Sequence, residues 1–208
     1  ISMLVKADLP LPEPDADGNT TRKLTLEEAM GILQALVGAG NETTTKSFSA
    51  MLVDLATHPG EWEALKANPE RAALVVEESL RLSTPSQGLF RVAKVDAEVG
   101  GVPIPAGSKI FLAYTAANRD PLKFPEPNAF IPDRENVRDH MAFGGGVHFC
   151  IGAPLSRLES VIALEKIAQR WNTMEVTNAK GDPEEWPLRY EPSFVLRGLE
   201  SLHLRITC

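Results

Sequence analysis

FGGGVHFCIG, residues 143–152, places three consecutive glycines, a histidine and a cysteine within ten positions. Two residues further on, Pro154 has no N–H and fits only the first turn of a helix, so the spacing predicts a helix that starts just after Cys150. The sulfur then stands near a helix N-terminus, where unpaired amides and the macrodipole favour a thiolate. Gly144, Gly145, Gly146 and Gly152 let the backbone bend tightly and approach a neighbour closely, with amides turned toward the sulfur. A loop of this kind suits an anionic metal ligand beneath a flat partner.

Taken alone, Cys150 is compatible with several roles. A lone cysteine is more often a small buried hydrophobe. A nucleophile needs a positioned base, and His148, two residues away in the same loop, is a weak candidate. Zinc is disfavoured because there is no C-x-x-C and His58, His140, His148 and His203 are scattered. Covalent c-type haem requires C-x-x-C-H, which is absent. The second cysteine, Cys208, ends the chain, so a disulfide framework is not expected. A reducing compartment follows, and the cytoplasm fits best.

Of the 208 residues, 43% are hydrophobic, enough for a sizeable core. The net charge of −7, with basic residues interleaved among acidic ones, argues against a nucleic-acid or anionic-membrane surface. No apolar run approaches the roughly 18 residues of a membrane helix. The opening ISMLVKADLP lacks the basic flank and length of a signal peptide and reads as the end of a helix already under way. A soluble protein acting on a small molecule is expected.

Outward from the cysteine loop, Leu155, Leu158, Ile162, Leu164, Ile167 and Trp171 recur at helical spacing, predicting a helix over 154–171. Upstream, Thr25 and Glu28 form a capping box, and apolar residues from Met30 to Leu55 predict a helix of nearly thirty residues that ends at His58–Gly60. Leu9–Asn19 before it reads as a loop. A short helix over 61–67 follows, then Asn68 as cap and Pro69 at the start of a helix over 70–82. Alternation of Ala93, Val95, Ala97 and Val99 before Gly100-Gly101 predicts a hairpin, and IFLAY from Ile110 a further strand. Residues 119–149 are irregular, the length expected of a functional loop. FVL at 194–196 and LHLRI at 202–206 read as short strands. The class is mainly α with small β-sheets (α+β).

Three further constellations stand out. GAGNETTT, residues 38–45, sits inside the long helix, where each glycine costs about 1 kcal/mol against alanine and the threonines compete for backbone carbonyls. A distortion is expected there. Either Gly38 and Gly40 admit a close helix crossing, or a local opening holds a small ligand with Glu42 and Thr43 as a proton path. Glu78 and Arg81 are three apart on one helix face, and most such pairs are surface salt bridges. Arg134 alone is a loop arginine. Arg91 shares strand parity with Ala93 and Val95, so it either snorkels to solvent or meets a buried anion.

Together these segments resemble the cytochrome P-450 superfamily of haem-thiolate monooxygenases. Phe143, Gly146, His148, Cys150 and Gly152 match the family pattern F-x-x-G-x-[HR]-x-C-x-G, and Ala39, Gly40, Glu42 and Thr43 match [AG]-G-x-[DE]-T. Glu78 and Arg81 match E-x-x-R, with Arg134 following Phe130 as a third charged partner. Four motifs in family order make chance agreement negligible. The resemblance runs along the whole chain as a single partial domain, residues 1–208, corresponding to the C-terminal half of a usual member. It implies that the early helices, much of the substrate lid and an additional propionate clamp belong to a region outside these residues.

The resemblance implies haem b, iron protoporphyrin IX held without covalent attachment, with Cys150 as axial ligand to the iron. Phe143, Gly144 and Gly152 would lie against the haem on the cysteine side, and His148 and Arg91 would bind its propionates. Glu42 and Thr43 would deliver protons for oxygen activation, with Ala39 and Gly40 leaving the space. Glu78, Arg81 and Arg134 would form a structural network behind the cysteine loop. Leu36, Pro85, Gln87, Gly88, Phe194 and Val195 are the positions implied to touch substrate. His148 and GAPLSRLE resemble soluble bacterial members, which take electrons from NAD(P)H through ferredoxin and ferredoxin reductase. The implied reaction uses O2 to hydroxylate a hydrophobic small molecule. The competing readings are a peroxide-using relative, which generally lacks the Glu42–Thr43 type of pair, a haem-binding sensor or carrier without turnover, and an inert fragment. Cys208 has no role on any of them.

Overall fold

In the computed structural model, residues 6–182 and 188–208 are described. The reading of the opening as a helix end falls on residues 1–5, outside them. The chain divides into two compact units, Ile1–Glu42 and Thr43–Cys208.

In the first unit, β1 (Asp8–Pro10) pairs antiparallel with β2 (Thr21–Lys23), so part of the expected loop is a small hairpin. Helix α1 (Leu26–Thr57) then begins. Its capping box forms as the sequence predicts. The Thr25 N–H donates to Glu28 Oε2 at 2.9 Å and the Glu28 N–H donates to Thr25 Oγ1 at 3.1 Å. Arg22 clasps the same carboxylate at 2.6 and 2.7 Å, fixing the β2–α1 corner.

Helix α1 is unbroken through GAGNETTT, contrary to the expected distortion. Helix propagation is cooperative, and some three turns on either side outweigh two glycines at about 1 kcal/mol each. Among the described residues a Cβ built on Gly38 or Gly40 meets no atom within 4 Å, so no close crossing is made there by them.

The second unit holds the core. Met51, Leu52 and Leu55 on α1 pack with Trp62 and Leu65 on α2 (Pro59–Ala67). They are joined by Val75, Val76 and Leu80 on α3 (Ala72–Ser83) and by Leu164 and Ala168 on α5 (Ala153–Ala168). Asn68 does cap, accepting from the Glu70 N–H at 3.2 Å, but the first turn after it, Pro69–Arg71, is 3₁₀ before α3 proper begins. A four-residue helix, α4 (Tyr114–Ala117), precedes the long irregular stretch.

The described residues form four two-stranded antiparallel sheets. The alternation over 93–99 misleads. Strand β3 (Gly88–Val92) ends before it and pairs with β6 (Lys109–Ala113), while β4 (Ala97–Val99) pairs with β5 (Val102–Ile104) across Gly100-Gly101. Between β3 and β4 the chain bends, and Asp96 Oδ1 accepts the Ala106 N–H at 2.8 Å, a side-chain bond that competes with a ladder. Val95 therefore shares no strand face with Arg91. β7 (Thr173–Thr177), which the pattern did not indicate, pairs with β8 (His203–Thr207). FVL forms one isolated bridge, Ser86 to Leu196, rather than a strand.

The apolar stripe of α5 does not all face the core. Leu164 is fully buried, Ile167 and Trp171 pack at the core edge, and Leu155, Leu158 and Ile162 are exposed. Leu164→Ala should therefore destabilise the protein by about 2–5 kcal/mol, whereas Leu158→Ala, at a residue 56% exposed, should change stability by less than about 0.5 kcal/mol. Urea unfolding of the two variants checks the assignment.

Candidate functional site

The cysteine loop is a closed turn set on the end of α5. The Cys150 N–H donates to the Phe143 carbonyl at 3.0 Å, and the Gly144 N–H to the Met141 carbonyl at 2.9 Å. Gly144 and Gly146 have φ of 68° and 65°, the left-handed region that a side chain enters only with strain. At Gly144 space is also short, since a Cβ would stand 3.3 Å from Tyr114 Oη. From Cys150 the chain enters α5 at once, with Pro154 in the first turn and no acidic residue there to offset the positive helix end. Cys150 is exposed, as are Val147, Phe149 and Ile151 beside it. The thiol is thus no buried hydrophobe.

His148 is exposed at the end of a 3₁₀ turn, Gly146–His148. Arg91 is half-buried on β3, opposite Ile110, and its Nη1 donates to the Phe90 carbonyl at 2.9 Å. Phe143 is held from behind by the Arg157 guanidinium, 4.5 Å from its ring centre, and by the His140 ring at 6.0 Å.

Behind the loop lie two adjacent glutamates of α3. Glu78 and Arg81, which on spacing alone read as a surface pair, are both completely buried. Arg81 Nε and Nη2 each donate to Glu78 at 2.8 Å, Arg134 Nε donates to Oε1 at 2.9 Å, and the Ile131 N–H adds 2.8 Å. Arg81 also donates to the carbonyls of Asn118 and Pro127 at 2.8 Å and Ala129 at 3.0 Å. Arg134 reaches the carbonyls of Pro125 and Glu126. The two arginines therefore pin the irregular stretch onto α3.

Glu77 serves a second cluster that the sequence reading missed. Arg157 Nε donates to Glu77 Oε1 at 2.6 Å and Nη2 to Oε2 at 3.0 Å. His140 Nδ1 accepts the Ala142 N–H at 3.2 Å, so its proton is on Nε2, which donates to Glu77 Oε2 at 2.9 Å. Burial alone would raise the Glu77 carboxyl, but the hydrogen bonds from His140 and Arg157 overcome it and hold the group at about 2. Asn118, fully buried, links the pieces by donating to Thr84 Oγ1 at 2.8 Å and accepting the Met141 N–H at 2.6 Å. Glu77 stands beside Glu78 in the sequence, and Arg157 lies inside GAPLSRLE. No periodicity marks either as buried.

Of the α1 residues, Leu36, Ala39, Gly40 and Glu42 are exposed and Thr43 is half-buried, all on regular helix. Of the expected substrate positions, Gln87 is joined to Phe194 and Val195, and Pro85 to the neighbouring Arg197. The Gln87 N–H donates to the Val195 carbonyl at 2.7 Å, the Arg197 N–H donates to that of Pro85 at 2.7 Å, and Gln87 Nε2 reaches the carbonyls of Ser193 and Phe194 at 3.2 Å. Gly88 starts β3 immediately after.

No cluster of three or more His, Cys, Asp or Glu fit to hold a bare metal ion occurs among the described residues. One exposed thiol at a helix start can supply a single ligand to a metal that arrives already chelated, as haem iron does.

Comparison with known proteins agrees. The family model for cytochrome P450 matches residues 2–197. A Bacillus subtilis (strain 168) protein named biotin biosynthesis cytochrome P450 is 38% identical over 202 residues, which cover 97% of this chain and 46% of that one. The structure of cytochrome P450 CYP109Q5 from Chondromyces apiculatus superposes with a TM-score of 0.85 at 37% identity, covering 99% of this chain and 49% of that one. CYP109E1 from Bacillus megaterium, solved in complex with corticosterone, gives 0.83 at 33% identity, covering 98% and 50%. The chain belongs to the cytochrome P450 family, and its elements are the C-terminal portion of that fold. It spans less than half the length of the curated relatives it matches.

The Glu77 cluster carries a pH signature. Its folded value of about 2 lies below the ordinary 4.5, so it stabilises the fold above about pH 4.5 and loses that contribution as pH falls toward 2. The difference corresponds to about 3 kcal/mol. Glu77→Gln should lower stability at pH 7 and flatten the decline between pH 4.5 and 2, as read from urea midpoints across that range.

Proposed function

We propose that the protein is a haem-thiolate monooxygenase. It inserts one oxygen atom of O2 into a hydrophobic small molecule, in the balance R–H + O2 + 2 electrons + 2 protons giving R–OH + H2O. The observation that carries this reading is Cys150, exposed on a glycine-hinged loop at the N-terminus of α5 and backed by two buried glutamate clusters.

Bound haem b supplies oxygen activation and oxygen insertion. Cys150 would ligate its iron through the sulfur. Phe143, Gly144 and Gly152 would pack beside it, and His148 and Arg91 would bind the propionates by charge-assisted hydrogen bonds. On α1, Ala39 and Gly40 present little side-chain bulk, and Glu42 and Thr43 hold and pass protons. Glu78, Arg81 and Arg134 keep the polypeptide behind Cys150 in place. Leu36, Pro85, Gln87, Gly88, Phe194 and Val195 contact substrate. The corticosterone bound by the Bacillus megaterium relative supports an apolar substrate. Electrons come from NAD(P)H through ferredoxin and ferredoxin reductase, and the cytoplasm is the proposed compartment; no helix of the described residues is long and apolar enough to cross a membrane.

The test is the absorption spectrum of the reduced, carbon-monoxide-bound protein. A strongly red-shifted Soret band is expected, and a well-folded protein that lacks it would refute the proposal. Cys150→Ala should abolish that band. Thr43→Ala should keep it while diverting NAD(P)H electrons to hydrogen peroxide, measured as peroxide formed per NAD(P)H consumed with surrogate redox partners. Full coupling in Thr43→Ala would remove Thr43 from the proton path.

A further inference from the structure

Lys46 stands three residues after Thr43 on α1, one turn along the same helical face. Its side chain is only 8% exposed, and its ammonium group donates to the carboxylate of Glu191, which is 44% exposed. Glu191 belongs to a turn closed by a bridge between Tyr190 and Leu199 and by the Glu191 N–H donating to the Gly198 carbonyl at 2.9 Å. Lys46 reaches this turn across Gly198. A Cβ there would lie 2.5 Å from Lys46 Cγ and Cδ and 2.7 Å from Nζ, so a glycine is what gives the lysine stem its passage.

The same turn is tied on its other side to the start of β3 through the backbone bonds at Pro85 and Gln87 and the Ser86–Leu196 bridge. Its tip carries Phe194, 67% exposed, whose ring stacks on Phe90 at 5.9 Å and 18° and meets Phe111 at 5.0 Å, while Phe90 and Phe111 lie 5.0 Å apart. Among the described contacts the turn thus has anchors of two kinds. Backbone hydrogen bonds fix it to β3, and a charge pair fixes it to α1. A nearly buried ammonium tolerates loss of its counter-charge poorly, so the second anchor holds the turn at one distance from the helix.

We propose that Lys46 and Glu191 are positioning residues for substrate selection. The pair sets where the Phe194–Phe90–Phe111 aromatic wall stands relative to the α1 face carrying Thr43, and the protein thereby discriminates among apolar substrates by the shape they present to that wall. This rests on the reading of Phe194 and Val195 as substrate contacts in a haem monooxygenase.

Imidazole and 4-phenylimidazole, both of which ligate haem iron, serve as the probe pair in spectral titrations of the haem-loaded protein. The second adds one ring that must fit against the wall. Lys46→Met and Glu191→Ala should each change the ratio of the two dissociation constants by about threefold or more, in the same direction, and the double variant should add nothing further. Imidazole affinity alone should stay within about twofold, and Lys46→Arg should preserve the ratio. A ratio unchanged in either single variant, or changes that simply add in the double variant, would overturn the proposal. Glu191→Ala lies on an exposed turn and decides the matter should Lys46→Met fail to fold. Amide hydrogen exchange at Glu191 and Arg197 is read in parallel without haem. It should quicken in both variants, and unchanged protection would overturn the clamp. If the unaltered protein showed no red-shifted carbon-monoxide band while these amides did respond, the monooxygenase reading would fall and the selection role with it, but the clamp would stand.

Discussion

The Glu78 carboxylate has no contact with water and is enclosed by the guanidinium groups of Arg81 and Arg134 and one backbone amide. Burying an isolated ion costs several kcal/mol, so each partner must be in place for any of them to be tolerated. Arg81 meets this with donors to two carboxylate oxygens and three carbonyls, a fan that the single ammonium of lysine does not match. Those carbonyls belong to Asn118, Pro127 and Ala129. The irregular stretch is therefore ordered by charge burial where no ladder or helix orders it.

Adjacent side chains on α3 divide the work. Glu78 secures the stretch that leads toward the cysteine loop, and Glu77 secures the loop's own flanks through His140 before it and Arg157 after it. Arg157 lies over the Phe143 ring, so the second cluster reaches the residue whose carbonyl accepts the Cys150 amide. A thiol that is exposed on one side is held on the other by buried ion pairs. This is how an otherwise mobile glycine-rich segment keeps one shape.

The tail turn follows a related principle with weaker means. Its hydrogen bonds to the start of β3 are ordinary, and among the described contacts an ion pair with a half-exposed acid ties it to α1. A turn so lightly tied can be re-aimed by few substitutions, while the cysteine loop behind its buried charges cannot.

The sequence alone determined the helices α1, α3 and α5, the capping of α1, the hairpin turn at Gly100-Gly101 and the placement of Cys150 at a helix start, because each follows from local periodicity, caps or proline and glycine chemistry. Motif order also marked Glu78, Arg81 and Arg134, although spacing by itself described a surface pair. Only the tertiary structure decided that this pair is buried and that Glu77, Asn118, His140 and Arg157 join it. It likewise decided that β3 pairs with β6 past a bend at Asp96, and that Lys46 meets Glu191. The contacts of Asn118 with Thr84, of Glu77 with His140 and Arg157, and of Lys46 with Glu191 join residues 34 to 145 positions apart. A one-dimensional pattern shows which side chains can carry charge or apolar surface, whereas desolvation and pairing depend on what the fold brings from elsewhere in the chain.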